Sequence, residues 1–160
     1  MQIRIIAIGR MKRGPETDLL DRYVTRARQQ GRAVGFTQVD VDDLVEGRAD
    51  ATSTRKDDEA QRLLNAVPDD ALLIALDERG TTISSKAFAD MLSEARDDGV
   101  RSVAFIIGGP DGLADAIRHR AQRTISFGKM TLPHGLVRVV LAEQIYRAIT
   151  ILAGHPYHRE

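Results

Sequence analysis

A helix near the C-terminus that is apolar on nearly every side constrains the fold more than any other part of the chain. The run GLVRVVLAEQIYRAITILAG predicts a helix from Leu136 to Leu152, interrupted by the charges of Arg138, Glu143 and Arg147. Each charge would cost about 2.5–3.5 kcal/mol at the centre of a bilayer, so a membrane span is excluded. Glu143 and Arg147 stand four positions apart, where they can pair with each other. The helix is either the central core helix of the domain or one that a second subunit covers on one side.

Two strand–loop units precede this helix. The apolar residues 103–107 run directly into the glycine-rich loop GGPDG, and the segment TISFGKMTLPH leads into the helix itself. Upstream, the apolar run ALLIALD at 71–77 is typical of a parallel strand covered on both faces. Strand and helix patterns alternate along the whole chain, which predicts an α/β fold with a mostly parallel sheet flanked by helices. At this length we expect a single domain over residues 1–160 with one sizeable core.

Turn and capping residues predict several element boundaries. Pro15 suits the first turn of the first helix, and Gly31 is a plausible end for it. One of the hydroxyl residues at 52–54 is expected to cap the second helix, and Ser84 the third. The polar segment DDLVEGRADATSTR has no hydrophobic period and predicts a mobile loop.

Three loops are expected at the carboxyl ends of strands: Leu76 to Gly80, Gly108 to Leu113, and Phe127 to His134. In open parallel sheets ligands bind at this edge, because loops and helix N-termini converge there. Glycines in these loops allow the backbone to approach a flat or anionic ligand closely. The GGPDG sequence alone is weak evidence for a ligand-binding loop, because such a segment is usually an ordinary turn. It is not a Walker loop, since no GK[ST] follows it.

The charge of the chain is zero overall but unevenly distributed. Residues 1–34 carry a net +5, residues 35–100 a net −9 and residues 101–160 a net +4. A fold that brings the two ends together would make one positive face that attracts a polyanion, although a solvated surface explains the same counts equally well.

The compartment is constrained only weakly by composition. There is no cysteine, so neither a disulfide framework nor a thiolate metal site is available. The opening MQIRIIAIGR places an arginine inside its apolar run and has no small-residue cleavage site, which disfavours a signal peptide. A cytoplasmic protein is the default expectation, with neither a metal nor a membrane as partner.

The quoted loops, the helix and the terminal HPYHRE resemble the ribosomal RNA large subunit methyltransferase H family. The matching stretches are IIGGPDGL, SFGKMTLPHGLVRVVLAEQIYRA and HPYHRE, and the resemblance extends to the opening IRIIAIGRMK. Members of this family are SPOUT-class enzymes that methylate N3 of pseudouridine 1915 in 23S rRNA. Arg10 and Thr81 stand where the family usually has lysine.

The resemblance implies properties that residue patterns do not. It implies a SPOUT-type fold with a deep C-terminal trefoil knot, a homodimer with the active site near the subunit boundary, and S-adenosylmethionine bound in the knot. The implied substrate is 23S rRNA in the assembled 70S ribosome. The implied cofactor contacts are Leu76, Gly108, Phe127, Gly128, Lys129, Met130, Thr131 and Leu132.

Methylation at N3 requires an in-line approach to the methyl group and loss of the N3 proton. We expect Arg147 to stabilise the negative charge that develops on the neighbouring carbonyl oxygens, with Glu143 orienting it. Tyr157 and His158, in the tail that directly follows the helix, are candidates for proton removal or for positioning the base. Composition alone would favour a frayed chain end without a catalytic role for that tail.

Basic residues from both ends of the chain are expected to contact RNA. These are His134, Arg138, Arg10 and Lys12. Two other interpretations stay open at this point. The chain is alternatively a SPOUT methyltransferase acting on another RNA such as tRNA, or a nucleotide-binding or dimerisation module without catalysis.

Overall fold

Strands and helices alternate along the chain in the computed structural model, which describes residues 1–158. The strands are β1 (Gln2–Ile8), β2 (Gln38–Leu44), β3 (Ala71–Thr82), β4 (Ser102–Ile107) and β5 (Arg123–Ser126). The helices are α1 (Pro15–Gly31), α2 (Thr52–Ala66), α3 (Ser85–Asp97), α4 (Asp115–Arg120) and α5 (His134–Leu152), with a short 3₁₀ turn at Arg32–Val34.

The five strands form one sheet in the order β2-β1-β4-β3-β5, and each neighbouring pair is parallel. Every residue of the central strand β4 is buried, as expected for a strand covered on both faces. The predicted α/β fold with a parallel sheet is therefore confirmed. Because all strands point the same way, their carboxyl ends meet at one edge.

Helices cover both faces of this sheet. On one face α1, α3 and α5 contribute Leu20, Phe88 and Ile145 to a shared apolar cluster. On the other face α2 and α4 contribute Leu63 and Ile117. The arrangement is a three-layer sandwich with the sheet in the middle.

The apolar helix α5 lies inside the domain. It packs against α1, α3 and β4, and most of its residues between Val139 and Thr150 are buried. Contacts within one chain thus account for most of its apolar character, as the core-helix interpretation requires. Glu143 and Arg147 pair as predicted, with Nη2 of Arg147 at 2.5 Å from the carboxylate.

The predicted boundaries are correct in part. Pro15 is in the first turn of α1, and the Ser84 hydroxyl accepts a hydrogen bond from the Ala87 amide at 3.1 Å. The predicted hydroxyl cap of α2 is wrong, because Thr52 is already helical and the capping position is Ala51. The polar loop is also shorter than predicted. Strand β2 continues to Leu44, since carboxylates on this edge strand are paired, for example Asp42 with Arg4.

The loop predicted at Leu76 to Gly80 is a bulge inside β3. Strand β3 pairs with β5 through Leu76, leaves the ladder, and pairs again at Thr81 and Thr82. Gly80 allows the return, because a Cβ there would lie 2.5 Å from the carbonyl carbon of Ile125. In the described part of the chain, none of the helices combines the length and hydropathy needed to span a bilayer.

Candidate active site

A cavity of about 690 Å³ opens at the carboxyl ends of β3, β4 and β5. Its wall is built from the bulge of β3, the GGPDG loop after β4, and the segment that joins β5 to α5. These are the three loops that the sequence predicts. The cavity has the size of an ordinary small-molecule or cofactor site. It is lined by the following predicted cofactor residues: Leu76, Gly108, Phe127, Gly128, Met130, Thr131 and Leu132. Lys129 lies in the same segment but does not line the cavity.

Two of the loops have backbones that favour glycine. A Cβ on Gly108 would lie 2.9 Å from the carbonyl carbon of Gly112, because the loop folds back on itself there. The amide of Gly112 closes this turn by donating to the carbonyl of Gly109 at 2.9 Å. Gly128 has a φ of 130°, which L side chains rarely adopt, and its amide donates to the Ser126 hydroxyl at 3.1 Å. Glycine and one internal hydrogen bond thus hold each of these two loops in a tight turn at the cavity wall.

The cavity fits S-adenosylmethionine in its chemistry. Apolar walls from Ile107, Ile125 and Val137 suit an adenine ring. Asp77 and Asp111 also line the cavity, and each is paired with an arginine, so these charges do not repel a cationic sulfonium.

Two arginines, from α4 and α2, hold the GGPDG loop and its surroundings. Arg118 of α4 donates through Nη1 to the Asp77 carboxylate and to the Leu113 carbonyl, both at 2.8 Å. Its Nη2 pairs with Asp115, and this hydrogen bond holds the pKa of the Asp115 carboxyl below its ordinary value. Arg55 of α2 donates to Asp111 at 2.7 Å and likewise lowers the pKa of that carboxyl. The sequence contains no signal for the Arg118–Asp77 and Arg55–Asp111 pairs, because their partners are 41 and 56 positions apart.

The second group of predicted site residues forms a cluster around the middle and second half of α5. The Glu143 carboxylate accepts hydrogen bonds from Arg147 and, at 3.1 Å, from the Tyr157 hydroxyl. The Arg147 guanidinium lies 5.1 Å above the Tyr157 ring, whose centroid is 4.7 Å from that of Tyr146. His158 follows directly, and its buried Nδ1 has no hydrogen-bond partner among residues 1–158. The tail is thus folded back onto α5.

The protonation of this cluster is set by its surroundings. Burial raises the pKa of the Tyr157 phenol above its ordinary value, and the nearby Tyr23 hydroxyl and Glu143 charge raise it further. The hydrogen bond to Glu143 raises the pKa of Arg147, which therefore stays cationic. A protonated Tyr157 donates a hydrogen bond at neutral pH. Its pKa does not suit the general-base role suggested for it.

The cluster and the cavity are separate within one chain. The cavity touches α5 only at His134 and Val137, in the first turn of the helix. Arg147 lies ten positions beyond Val137, or about 15 Å along the helix axis. Neither Arg147 nor Tyr157 lines the cavity of its own chain.

Basic residues from both ends of the chain meet beside the cavity. Arg10 and Lys12 are exposed in the loop after β1, and His134 lies at the cavity rim. The same loop reaches the first turn of α5, where a Cβ on Gly135 would lie 3.9 Å from the Met11 side chain. The fold thus brings the basic N-terminal loop next to the basic C-terminal segment.

Arg138 does not belong to this surface, and its prediction as an RNA contact is wrong. The side chain is fully buried. It donates to the carbonyls of Ile8 and Gly9, both at 2.6 Å, and to the Asp43 carboxylate at 2.9 Å. Burial lowers its pKa. Arg138 fastens α5 to the ends of β1 and β2.

No group of three or more histidine, cysteine, aspartate or glutamate side chains in residues 1–158 is arranged to hold a metal ion.

Comparisons with known proteins agree with this architecture. A family model described as "Predicted SPOUT methyltransferase" matches residues 1–158. The ribosomal RNA large subunit methyltransferase H of Bradyrhizobium sp. (strain ORS 278) is 48% identical over 159 residues, covering 99% of this chain and 98% of that protein. The protein of the same name from Sinorhizobium medicae (strain WSM419) is 50% identical over 159 residues, and this match covers 99% of each chain.

Among solved structures, a probable methylase family protein from Haemophilus influenzae Rd KW20 shares the fold. Its TM-score is 0.50 at 13% sequence identity, covering 99% of this chain and 70% of that chain. The match of the family model over residues 1–158, together with relatives of about half-identical sequence over nearly the full length, establishes that this chain is a member of the SPOUT methyltransferase family.

Proposed function

We propose that this protein transfers the methyl group of S-adenosylmethionine to N3 of pseudouridine 1915 in 23S rRNA. The observation that carries the proposal is the convergence of three loops, far apart in sequence, on one cavity of cofactor size. The relatives that are about half identical are named as rRNA large subunit methyltransferases, which supports this substrate class. An rRNA substrate also favours the cytoplasm as the place of action.

The cofactor is held by the three loops. Leu76 and Gly108 present strand-end backbone, and the segment from Phe127 to Leu132, which includes Lys129, forms the remaining side. When bound, S-adenosylmethionine supplies an electrophilic methyl group on a sulfonium. The chain's own part is to orient this group and to exclude water from it.

The substrate must lose the N3 proton as the N3–methyl bond forms. The electron pair of that N–H bond stays on the substrate, and the Arg147 cation stabilises the negative charge that develops on N3 and the flanking carbonyl oxygens. This pair makes the N3–methyl bond, and the pair of the broken methyl–sulfur bond would stay on the sulfur, which would leave as the neutral thioether of S-adenosylhomocysteine. Glu143 fixes the direction of Arg147 through two hydrogen bonds, at 2.5 and 3.0 Å. Tyr157 holds the same carboxylate from the tail, and His158, with an unpartnered Nδ1, is the proton acceptor we favour.

A complete site requires two copies of the chain. The charged cluster lies about 15 Å along α5 from the cavity, too far to act on a ligand there. In a homodimer of the SPOUT type, with α5 threaded through a knot, the tail and Arg147 of one protomer face the cavity of the partner.

Mixed dimers test this arrangement. One variant, Gly108→Ala, damages the cavity, and another, Arg147→Ala, damages the cluster. If each site combines the two protomers, mixing the two impaired variants at a limiting S-adenosylmethionine concentration raises the activity, because one site per mixed dimer has an intact cavity and an intact arginine. If each site lies within one chain, mixing restores nothing.

The RNA is recognised in the context of the ribosome. Arg10, Lys12 and His134 supply cationic contacts beside the cavity, while the zero net charge of the chain disfavours tight binding to free RNA. We therefore expect methylation of intact 70S particles and much slower methylation of isolated 23S rRNA.

The decisive experiment is mass spectrometry of rRNA from cells that lack this gene, looking for loss of one methyl group on one pseudouridine. The purified protein should restore that methyl group on 70S particles from those cells. Methylation of tRNA instead would support a different RNA substrate. Calorimetry showing no binding of S-adenosylmethionine would support a module without catalysis.

A further inference from the structure

Arg118 joins two of the three loops that build the cavity. Strands β3 and β4 are paired up to Leu76 and Ile107, and beyond this pair the two backbones separate into the bulge and the GGPDG loop. The guanidinium of Arg118 bridges the gap. It bonds the Asp77 carboxylate on one side and the Leu113 carbonyl on the other, each at 2.8 Å.

Arg118 lines the cavity, but its hydrogen bonds favour a positioning role over direct contact with the ligand. A guanidinium has five N–H donors, and both donors on Nη1 of Arg118 are already engaged. Nη2 is paired with Asp115, so two carboxylates neutralise this cation. A neutralised arginine also avoids repelling a cationic sulfonium in the same cavity.

The Asp77 end of the bridge is rigid. The Asp77 side chain is only 8% exposed, and its second oxygen accepts the Arg79 amide at 3.0 Å, which fixes the start of the bulge. The planar fork of arginine suits this double contact, whereas the single ammonium of lysine cannot reproduce both directions.

We infer that Arg118 is a positioning residue for the cofactor: it holds the bulge after Leu76 and the loop after Gly108 at the spacing that S-adenosylmethionine binding requires. The inference rests on the proposed function. Arg118→Met therefore weakens cofactor binding chiefly by releasing the two loops from each other.

The first test is calorimetry with S-adenosylmethionine and with S-adenosylhomocysteine. Arg118→Met should raise both dissociation constants by roughly tenfold, which is about 1.4 kcal/mol. Arg118→Lys should recover only part of this loss. The matched control is Arg120→Met, an exposed arginine on the same short helix outside this set of bonds, which should bind as the wild type does.

Kinetics and hydrogen exchange separate positioning from other roles. For Arg118→Met, KM for S-adenosylmethionine should rise while KM for the 70S particle and kcat at saturating cofactor stay unchanged. Without any ligand, amide exchange should accelerate in peptides covering 76–82 and 108–113, and not in the Arg120 variant. Unchanged exchange and unchanged affinity in a folded Arg118→Met protein would overturn the inference.

The two proposals fail in distinguishable ways. If the wild-type protein binds no S-adenosylmethionine, the proposed function fails, and the exchange experiment alone decides whether Arg118 couples the loops. If the wild type binds and Arg118→Met binds equally well, only the positioning role fails.

Discussion

Tyr157 donates its hydroxyl to Glu143 at 3.1 Å, and this bond anchors the C-terminal tail on the middle of α5. The same carboxylate holds Arg147, so the tail and the proposed catalytic cation share one acceptor. Tail order and arginine orientation are therefore linked.

The first prediction concerns the pH dependence of stability. Because the pKa of Tyr157 is raised on folding, the native state keeps its proton more tightly than the unfolded chain does. This contribution is fully present below the unfolded tyrosine pKa, near 10, and is lost as the pH rises above it. The free energy of unfolding of the wild type should thus fall relative to that of Tyr157→Phe above about pH 10. Denaturant titrations from pH 8 upward measure this, and parallel curves for the two proteins would contradict it.

The second prediction concerns Arg147. Arg147→Ala should lower the single-turnover rate by about 10²–10³-fold with both substrates saturating, because a charge-stabilising donor is removed from the transition state. Arg147→Lys should retain part of the rate. Arg101→Ala, at the opposite edge of the sheet, is the control. A full rate for Arg147→Ala in a folded protein would remove this residue from the mechanism.

The third prediction concerns the buried Arg138. Arg138→Met leaves the carbonyls of Ile8 and Gly9 and the Asp43 carboxylate without their donor, so it should cost about 3–5 kcal/mol of the free energy of unfolding. Urea denaturation measures the loss. The exposed Arg22→Met should change stability by about 0.5 kcal/mol or less. Equal midpoints for the two variants would mean that the buried bonds contribute nothing.

The fourth prediction concerns the GGPDG loop. Gly108→Ala places a Cβ 2.9 Å from the backbone of Gly112, so the loop must shift and S-adenosylmethionine affinity should fall about tenfold or more. Gly14→Ala is the matched control, because a Cβ at Gly14 meets nothing within 4 Å. Calorimetry on both variants compares them directly, and wild-type affinity for Gly108→Ala would show that this turn does not shape the site.

The fifth prediction concerns the basic loop after β1. If Arg10 and Lys12 contact phosphates, each change to glutamine should reduce the slope of log affinity against log salt by roughly 0.7–0.9 per contact. Binding to 70S particles at several salt concentrations measures these slopes. Arg101→Gln should leave the slope unchanged, and equal slopes for all three variants would exclude the loop from the RNA surface.

The cavity loops are predictable from sequence because their signals are local. The apolar runs ending at Leu76 and Ile107 mark strands, and the glycines that follow mark turns at their carboxyl ends. Parallel pairing then requires the loops to meet. One of the three loops differs from the prediction in its form. Residues 77–80 bulge out of β3, and β3 pairs with β5 again at Thr81.

The long-range polar contacts are not predictable in this way. Arg138 sits near His134 in sequence, so a shared RNA surface is the natural expectation, yet its partners Ile8 and Gly9 are about 130 positions away. Nothing local distinguishes a buried arginine from an exposed one. The knot and the dimer likewise depend on threading and on a second chain, and they stay predictions from family resemblance.

One continuous helix connects the rim of the cavity to the charged cluster. Inserting one residue between Val137 and Glu143 would rotate everything beyond it by about 100° and advance it by 1.5 Å. Arg147 and the tail packed against it would then face a different direction relative to the cavity rim, although every side chain was retained. Helix α5 thus fixes the distance and the angle between the cavity rim and the charged cluster. A change in its length should therefore damage the enzyme more than most changes in its composition.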